Sequence, residues 1–136
     1  MKALLLVLFL VCHLTTHAQT INVEVSKIEN TKGKLVVSLY DNEDDFLKNP
    51  VKEKKLNITG DRLTVSFENV KQGVYTIGVY HDEDGDGELD TNWFNIPTEQ
   101  IGVSNNARPN FGPPDYDEAK FTVKQSDVTL KIEMQE

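Results

Sequence analysis

The chain is poor in cysteine, in basic residues and in long apolar runs. One cysteine, Cys12, among 136 residues excludes an internal disulfide framework and any zinc site built on cysteine pairs. Lys and Arg number 14 against 22 Asp and Glu, for a net charge of -8. So acidic a chain repels phosphate backbones, which argues against nucleic acid as a partner. The one unbroken apolar run, residues 3–12, falls short of the roughly 20 residues a spanning helix needs, so no membrane span is expected. Sustained helical periodicity is also missing. With aromatics at 8% and regularly placed apolar residues, wholesale disorder is excluded as well.

What is present begins with an address. Met1 and Lys2 give a short positive start, the apolar run follows, and Thr16-His17-Ala18 ends a polar stretch before Gln19. This is the layout of a secretory signal peptide cut near Ala18. Lipoprotein processing at Cys12 wants a small residue before the cysteine, and Val11 stands there instead. The expected organisation is a signal peptide over residues 1–18 and one domain over 19–136, secreted to the periplasm or beyond. That domain has no cysteine and a single histidine, His81.

The remainder reads as short strands with period-two alternation. Ile21, Val23 and Val25 alternate within 20–28, and Asn30-Thr31-Lys32-Gly33 is a turn. Leu35, Val37 and Leu39 follow. Residues 41–55, with Phe46, Leu47 and Pro50, are expected as a loop or a short helical turn. Leu56 and Ile58 mark a short strand, then come Leu63, Val65 and Phe67, and then residues 74–80. Phe121 and Val123, and finally Val128, Leu130, Ile132 and Met134, complete the set. About seven strands separated by turn signals predict an all-β antiparallel sandwich with a long ordered loop after the fifth strand.

One stretch carries chemistry. The fifth strand runs into His81-Asp82-Glu83-Asp84-Gly85-Asp86-Gly87-Glu88-Leu89-Asp90, where six of nine residues from 82 to 90 are acidic. Such crowding is costly without a cation. Asp82, Asp84 and Asp86 stand at relative positions 1, 3 and 5, with Gly87 at 6, which is the front half of a calcium-loop pattern. Glu88 offers a backbone carbonyl at position 7, Leu89 is expected to point inward and tether the loop, and Asp90 sits at position 9. Position 12 is Trp93 rather than a bidentate Glu, and a strand leads in, so this is not an EF-hand. Glu99, Asp115 or Asp117 is expected to complete the shell. Oxygen donors without sulfur favour calcium over zinc. The competing reading is a solvated acidic turn with glycines for geometry.

Residues 91–118 show no helix or strand period and hold Pro97, Pro109, Pro113 and Pro114. Their aromatics, Trp93, Phe94, Phe111 and Tyr116, are expected either to pack this segment over the end of the sandwich or to line a binding surface.

The ordered series residues 81–90, Ile96-Pro97-Thr98-Glu99, Gly102-Val103-Ser104-Asn105-Asn106, Pro113-Pro114 and Asp117-Glu118-Ala119, led in by Gly73-Val74-Tyr75, resembles the bacterial secreted family called domain of unknown function 2141. Many relatives carry Gly where this chain has Asn95, and Asn also tolerates positive φ. The resemblance implies a transthyretin-like or prealbumin-like β-sandwich and implies no activity. The expected function is therefore a secreted, non-enzymatic domain. Its calcium loop, formed by Asp82, Asp84, Asp86, Glu88, Asp90 and Glu99, would order a surface for an extracellular protein or glycan. Two alternatives stand beside it. One is a metal-dependent hydrolase using His81, for which no nucleophile elbow or spaced His pair is seen. The other is a small-molecule carrier, by fold analogy.

Overall fold

A computed structural model describes residues 17–136. The apolar run and Cys12 lie outside the described residues, as does all of the proposed signal peptide before His17. Among the described residues eight strands form two sheets. β1 (Gln19–Ser26) lies between β4 (Arg62–Val70) and β8 (Val128–Glu133) in one. The other runs β3 (Lys52–Asn57), β2 (Lys34–Tyr40), β5 (Gly73–Asp82), β6 (Ile101–Val103), with β7 (Phe121–Val123) paired to the start of β5. The expected all-β sandwich is what the chain forms. The pairing is antiparallel except between β1 and β8, which run parallel with Ile21 opposite Val128 and Val25 opposite Ile132.

The alternation read from the sequence is the burial pattern observed. Ile21, Val23 and Val25 from β1, Val65 and Phe67 from β4, and Ile132 from β8 meet Leu35, Val37 and Leu39 from β2 and Ile77 and Val79 from β5 in one core. Apolar burial of this kind is the main stabilising term. β2 departs from simple alternation, because Val36, Ser38 and Tyr40 on its other face are buried too. A second, smaller core covers part of that face. It gathers Tyr40, Phe46, Val103, Ala107 and Ala119, with Tyr116 packed against them. The Tyr40, Phe46 and Tyr116 rings meet edge to face, with centroids 5.9 and 5.7 Å apart.

Two segments expected as loops are thereby corrected. Residues 41–55 end in β3, an edge strand whose Lys, Glu and Asn side chains hid its alternation, and Phe46 is a core anchor. Residues 91–118 contain β6, a 3-10 turn (Ser104–Asn106) and most of a helical turn, α1 (Tyr116–Ala119). The motif residues of that stretch act as clips. Buried Ser104 Oγ accepts from Ile77 N at 3.0 Å and donates to the Ala119 carbonyl at 2.6 Å. Asn105 Nδ2 donates to the Glu118 and Lys120 carbonyls. Asn106 Oδ1 accepts from Glu133 N. These side chains replace ladder bonds that the short strands do not supply.

The side of the sandwich between β3 and β4 is laced by lysines. Lys52 Nζ donates to the Glu68 carbonyl at 2.7 Å and Lys54 Nζ to the Ser66 carbonyl at 2.5 Å, so side chains on the edge of one sheet cap carbonyls on the edge of the other. The Lys54 ammonium also stands 5.7 Å from the centre of the Phe67 ring.

Candidate metal centre

β5 delivers the acidic stretch to the end of its sheet. Strand alternation sends His81 to the same side as Ile77 and Val79, and sends Asp82 with Tyr80 to the other. The turn before β2 closes on this point. Gly33 has φ +61°, and a Cβ there would stand 1.8 Å from the Asp82 carbonyl oxygen. Asn30 Nδ2 adds a bond to Glu83 Oε1 at 2.8 Å.

Beyond Asp82 the chain curls through Gly85 and Gly87, at φ +77° and +86°, a conformation glycine adopts without strain. The aspartates fold back on it. Asp82 accepts from Gly85 N at 2.8 Å and, through its other oxygen, from Gly87 N at 3.0 Å. Asp84 accepts from Asp86 N at 3.1 Å, and Asp86 from Glu88 N at 2.8 Å. These local bonds turn the carboxylates of positions 1, 3 and 5 together. One oxygen from each of Asp82, Asp84 and Asp86 lies within 4.8 Å of the others, and the same holds for Asp84, Asp90 and Glu99. Asp84 is common to both sets.

Glu99 closes the loop from a separate segment. It is only 9% exposed, and its two oxygens accept from Glu83 N at 2.9 Å and Asp90 N at 3.1 Å, so one carboxylate pins both ends of the loop. Tyr80 is a second tether, its hydroxyl donating to the Gly87 carbonyl at 2.9 Å. Burial, and then the charges of Glu53, Asp82, Glu99 and Asp86, push that phenol up to about 12, so it stays protonated and remains a donor. Desolvation, and then the charges of Asp84, Glu99, Asp86 and Asp82, raise the Asp90 carboxyl above its ordinary 3.8.

The sequence-predicted residues thus divide. Asp82, Asp84, Asp86, Asp90 and Glu99 come together. The expected contribution of Glu88 is its backbone carbonyl, not its carboxylate, and its N–H donates to Asp86 Oδ1. Leu89 does not tether the loop, being 36% exposed, and Tyr80 takes that part. Asp115 and Asp117, the other candidates for the missing ligand, are elsewhere: Asp115 caps α1 and Asp117 pairs with Lys120. His81 is fully buried, and its Nε2 lies 2.8 Å from the Lys32 carbonyl. A carbonyl only accepts, so Nε2 carries the proton, and Nδ1 has no partner among the described residues. Of the four aromatics of 91–118, Tyr116 packs as expected, whereas Trp93, Phe94 and Phe111 are exposed.

The chemistry of the set is specific. All donors are carboxylate oxygens. Ligands facing each other across calcium stand about 4.6–5.2 Å apart, at roughly 2.3–2.6 Å each from the ion, and across magnesium only about 4.0–4.2 Å. Oxygens within 4.8 Å of one another can meet on either ion, so it is the all-carboxylate donor set, without nitrogen or sulfur, that marks the site as one for a hard cation. Behind Glu99 lies a cavity of about 230 Å³ lined by Glu29, Glu83, Glu136 and Gln100 among others, polar rather than apolar in character. There the Glu29 carboxyl is raised by its hydrogen bond with Glu136 and by desolvation.

Replacing Glu99 by Gln tests the clamp. An amide can accept through only one atom, and its NH2 would face a backbone donor. We expect a loss of about 1–3 kcal/mol in urea unfolding, with faster amide exchange at Glu83 and Asp90. Unchanged exchange at both amides would show that Glu99 does not hold them.

The fold and the loop define a class: an all-β sandwich with a carboxylate-rich loop at the end of a sheet. The chain belongs to a bacterial family described as uncharacterized protein conserved in bacteria (DUF2141), whose model matches residues 23–131. The match spans β1 to within β8, and includes the whole acidic loop and Glu99. No curated protein and no solved structure matches the chain. Among the described residues no helix is long and apolar enough to cross a membrane.

Proposed function

We propose that residues 82–90 and Glu99 bind a divalent cation, calcium by their chemistry, in an exported, non-enzymatic sandwich domain. The cation orders this loop and the adjoining residues 91–118 as a surface for an envelope or extracellular partner. One observation carries the reading. Five carboxylates from two separate segments converge in two sets sharing Asp84, while backbone N–H groups hold Asp82 and Glu99 in place. The Glu83 and Asp90 N–H groups hold Glu99 at the loop, and gathering its charge with those of Asp84 and Asp90 is costly unless a cation opposes it. The expected affinity is in the range of extracellular modules, about 10⁻⁴–10⁻³ M, because no bidentate Glu occupies position 12.

Isothermal titration of chelator-treated protein with calcium tests it. Binding heat is expected for the parent chain. Asp84→Asn, which removes the shared charge, is expected to weaken binding at least about tenfold, as a loss of about 1.4 kcal/mol would. Equal heats from parent and variant, or none from either, would end the proposal.

A further inference from the structure

Of the glycines in the chain, only Gly85 and Gly87 follow an aspartate, and none follows an asparagine. An Asp-Gly step is where a protein backbone rearranges most readily on its own. The glycine nitrogen attacks the aspartate Cγ, a C–N bond forms, and the carboxyl hydroxyl leaves with the amide proton as water. The product is a cyclic succinimide, which water then opens. Where water breaks the new C–N bond, aspartate returns. Where it breaks the original one, the chain runs on through Cβ and Cγ, and the residue is isoaspartate. Water is released and taken up again, so no oxidant, metal or enzyme is required. Glycine favours the attack because no Cβ shields its nitrogen.

Both steps lie open to that chemistry. Asp84, Gly85 and Asp86 are exposed, Gly87 is half-buried, and nothing stands within 4 Å of a Cβ built at Gly85. What opposes it is the state of the two attacking atoms. Gly85 N donates to one Asp82 oxygen at 2.8 Å and Gly87 N to the other at 3.0 Å. Asp82 is only 2% exposed, so these bonds are sheltered from water. A nitrogen attacks only after it gives up its proton and turns its electron pair toward Cγ. A carboxylate on that proton keeps the N–H intact, and its charge opposes an anion on the nitrogen. The side chains that would be attacked are engaged as well. Asp84 accepts from Asp86 N and Asp86 from Glu88 N, each two residues on rather than next in line.

We propose that Asp82 is a guard of the backbone: by holding Gly85 N and Gly87 N it keeps Asp84 and Asp86 from isomerising, and a loop released from it converts to isoaspartate at both steps. The role is independent of any cation. Each conversion moves one carbon from side chain to main chain, so the carboxylate is drawn in toward Cα and leaves the place it holds beside its neighbours.

The experiment ages the full chain in warm, mildly acidic buffer and counts isoaspartate at each step by mass spectrometry with electron-transfer fragmentation. EGTA is present throughout, which keeps the result separate from calcium binding. The folded parent is expected to isomerise at least about tenfold more slowly than the parent in urea at both steps, and Asp82→Ala to lose most of that protection. Glu99→Gln loosens the ends of the loop but frees neither glycine, so it is expected to age like the parent. Circular dichroism shows whether Asp82→Ala is folded. Asp82→Asn, isosteric with the parent side chain, keeps one accepting oxygen and is expected to expose one step only. Unfolding, which frees both, does not give that pattern. Equal rates for the folded parent and the parent in urea overturn the proposal. So do parent-like rates in Asp82→Asn and in folded Asp82→Ala. An acceleration in Glu99→Gln as large as in Asp82→Ala also overturns it, since looseness of the loop would then be the cause.

Discussion

Calcium at about 1 mM added to the chelator-treated protein is expected to raise its melting temperature by roughly 1–6 °C. At the affinity expected above, that concentration is about 1–10 times the dissociation constant and adds about 0.4–1.4 kcal/mol to the folded state. For a domain of this length each kcal/mol moves the midpoint by a few degrees. The shift should disappear in Asp84→Asn, and magnesium should give less of it. The pH dependence has a definite sign. In chelator, the folded loop holds a proton on Asp90 more tightly than the unfolded chain does, because its carboxyl is raised above 3.8. Stability from that group is therefore greatest at low pH and is lost as pH rises through the raised value. With calcium bound the slope reverses, since protonation then competes with the ion. A melting curve indifferent to calcium from acid to neutral pH would contradict the cation reading.

Gly33→Ala is expected to be the most damaging small substitution outside the core. Its φ of +61° disfavours any side chain, and the new Cβ would meet the Asp82 carbonyl oxygen at 1.8 Å and the Glu83 oxygen at 2.7 Å. Backbone, not a flexible side-chain tip, would have to move. Left-handed strain and overpacking together come to about 2–4 kcal/mol. The displaced backbone is that of Asp82 and Glu83, so calcium affinity should fall with stability. Gly60→Ala is the control. Nothing lies within 4 Å of a Cβ there, and its unfolding midpoint should stay close to that of the parent. Equal behaviour of the two variants in urea would show that the 30–33 turn does not brace the loop.

The legible parts of this chain were those written in local periodicity. β1, β2, β4 and β5 bury alternate residues of one large core, so Ile21-Val23-Val25 and Leu63-Val65-Phe67 announce themselves. β3 and β6 did not. β3 is an edge strand of mostly exposed Lys, Glu and Asn, and β6 is three residues long and held in part by Ser104, Gln100 and backbone bonds to distant residues. Nothing in period-two counting registers a side chain that stands in for a ladder bond. The parallel pairing of β1 with β8 was likewise invisible, because it joins two strands of one sheet that are about a hundred residues apart in sequence.

The loop shows the same division. The 1-3-5-Gly spacing made Asp82, Asp84 and Asp86 readable, since each carboxylate folds back on its own neighbours. Glu99 was the ligand expected from outside the loop, but no spacing rule set it above Asp115 and Asp117; the fold does, by placing it against Glu83 and Asp90. Tyr80 was passed over as one more strand residue. Its position just before the acidic run was the available signal, because a phenol at a strand end reaches a loop carbonyl. Leu89 misled in the opposite sense: an apolar residue inside a loop invites burial, but the clamp by Glu99 and the Tyr80 hydroxyl leaves no need for it.

The ammonium groups of Lys52 and Lys54 bear on how copies of this protein avoid one another. The β4 carbonyls they occupy are the ones a neighbouring molecule would grasp in order to extend the sheet, and a second molecule approaching there meets its own charge mirrored. The guard on that flank is thus a pair of long charged side chains rather than a plug of apolar atoms. Removing both, as in Lys52→Ala with Lys54→Ala, would leave that strand border bare.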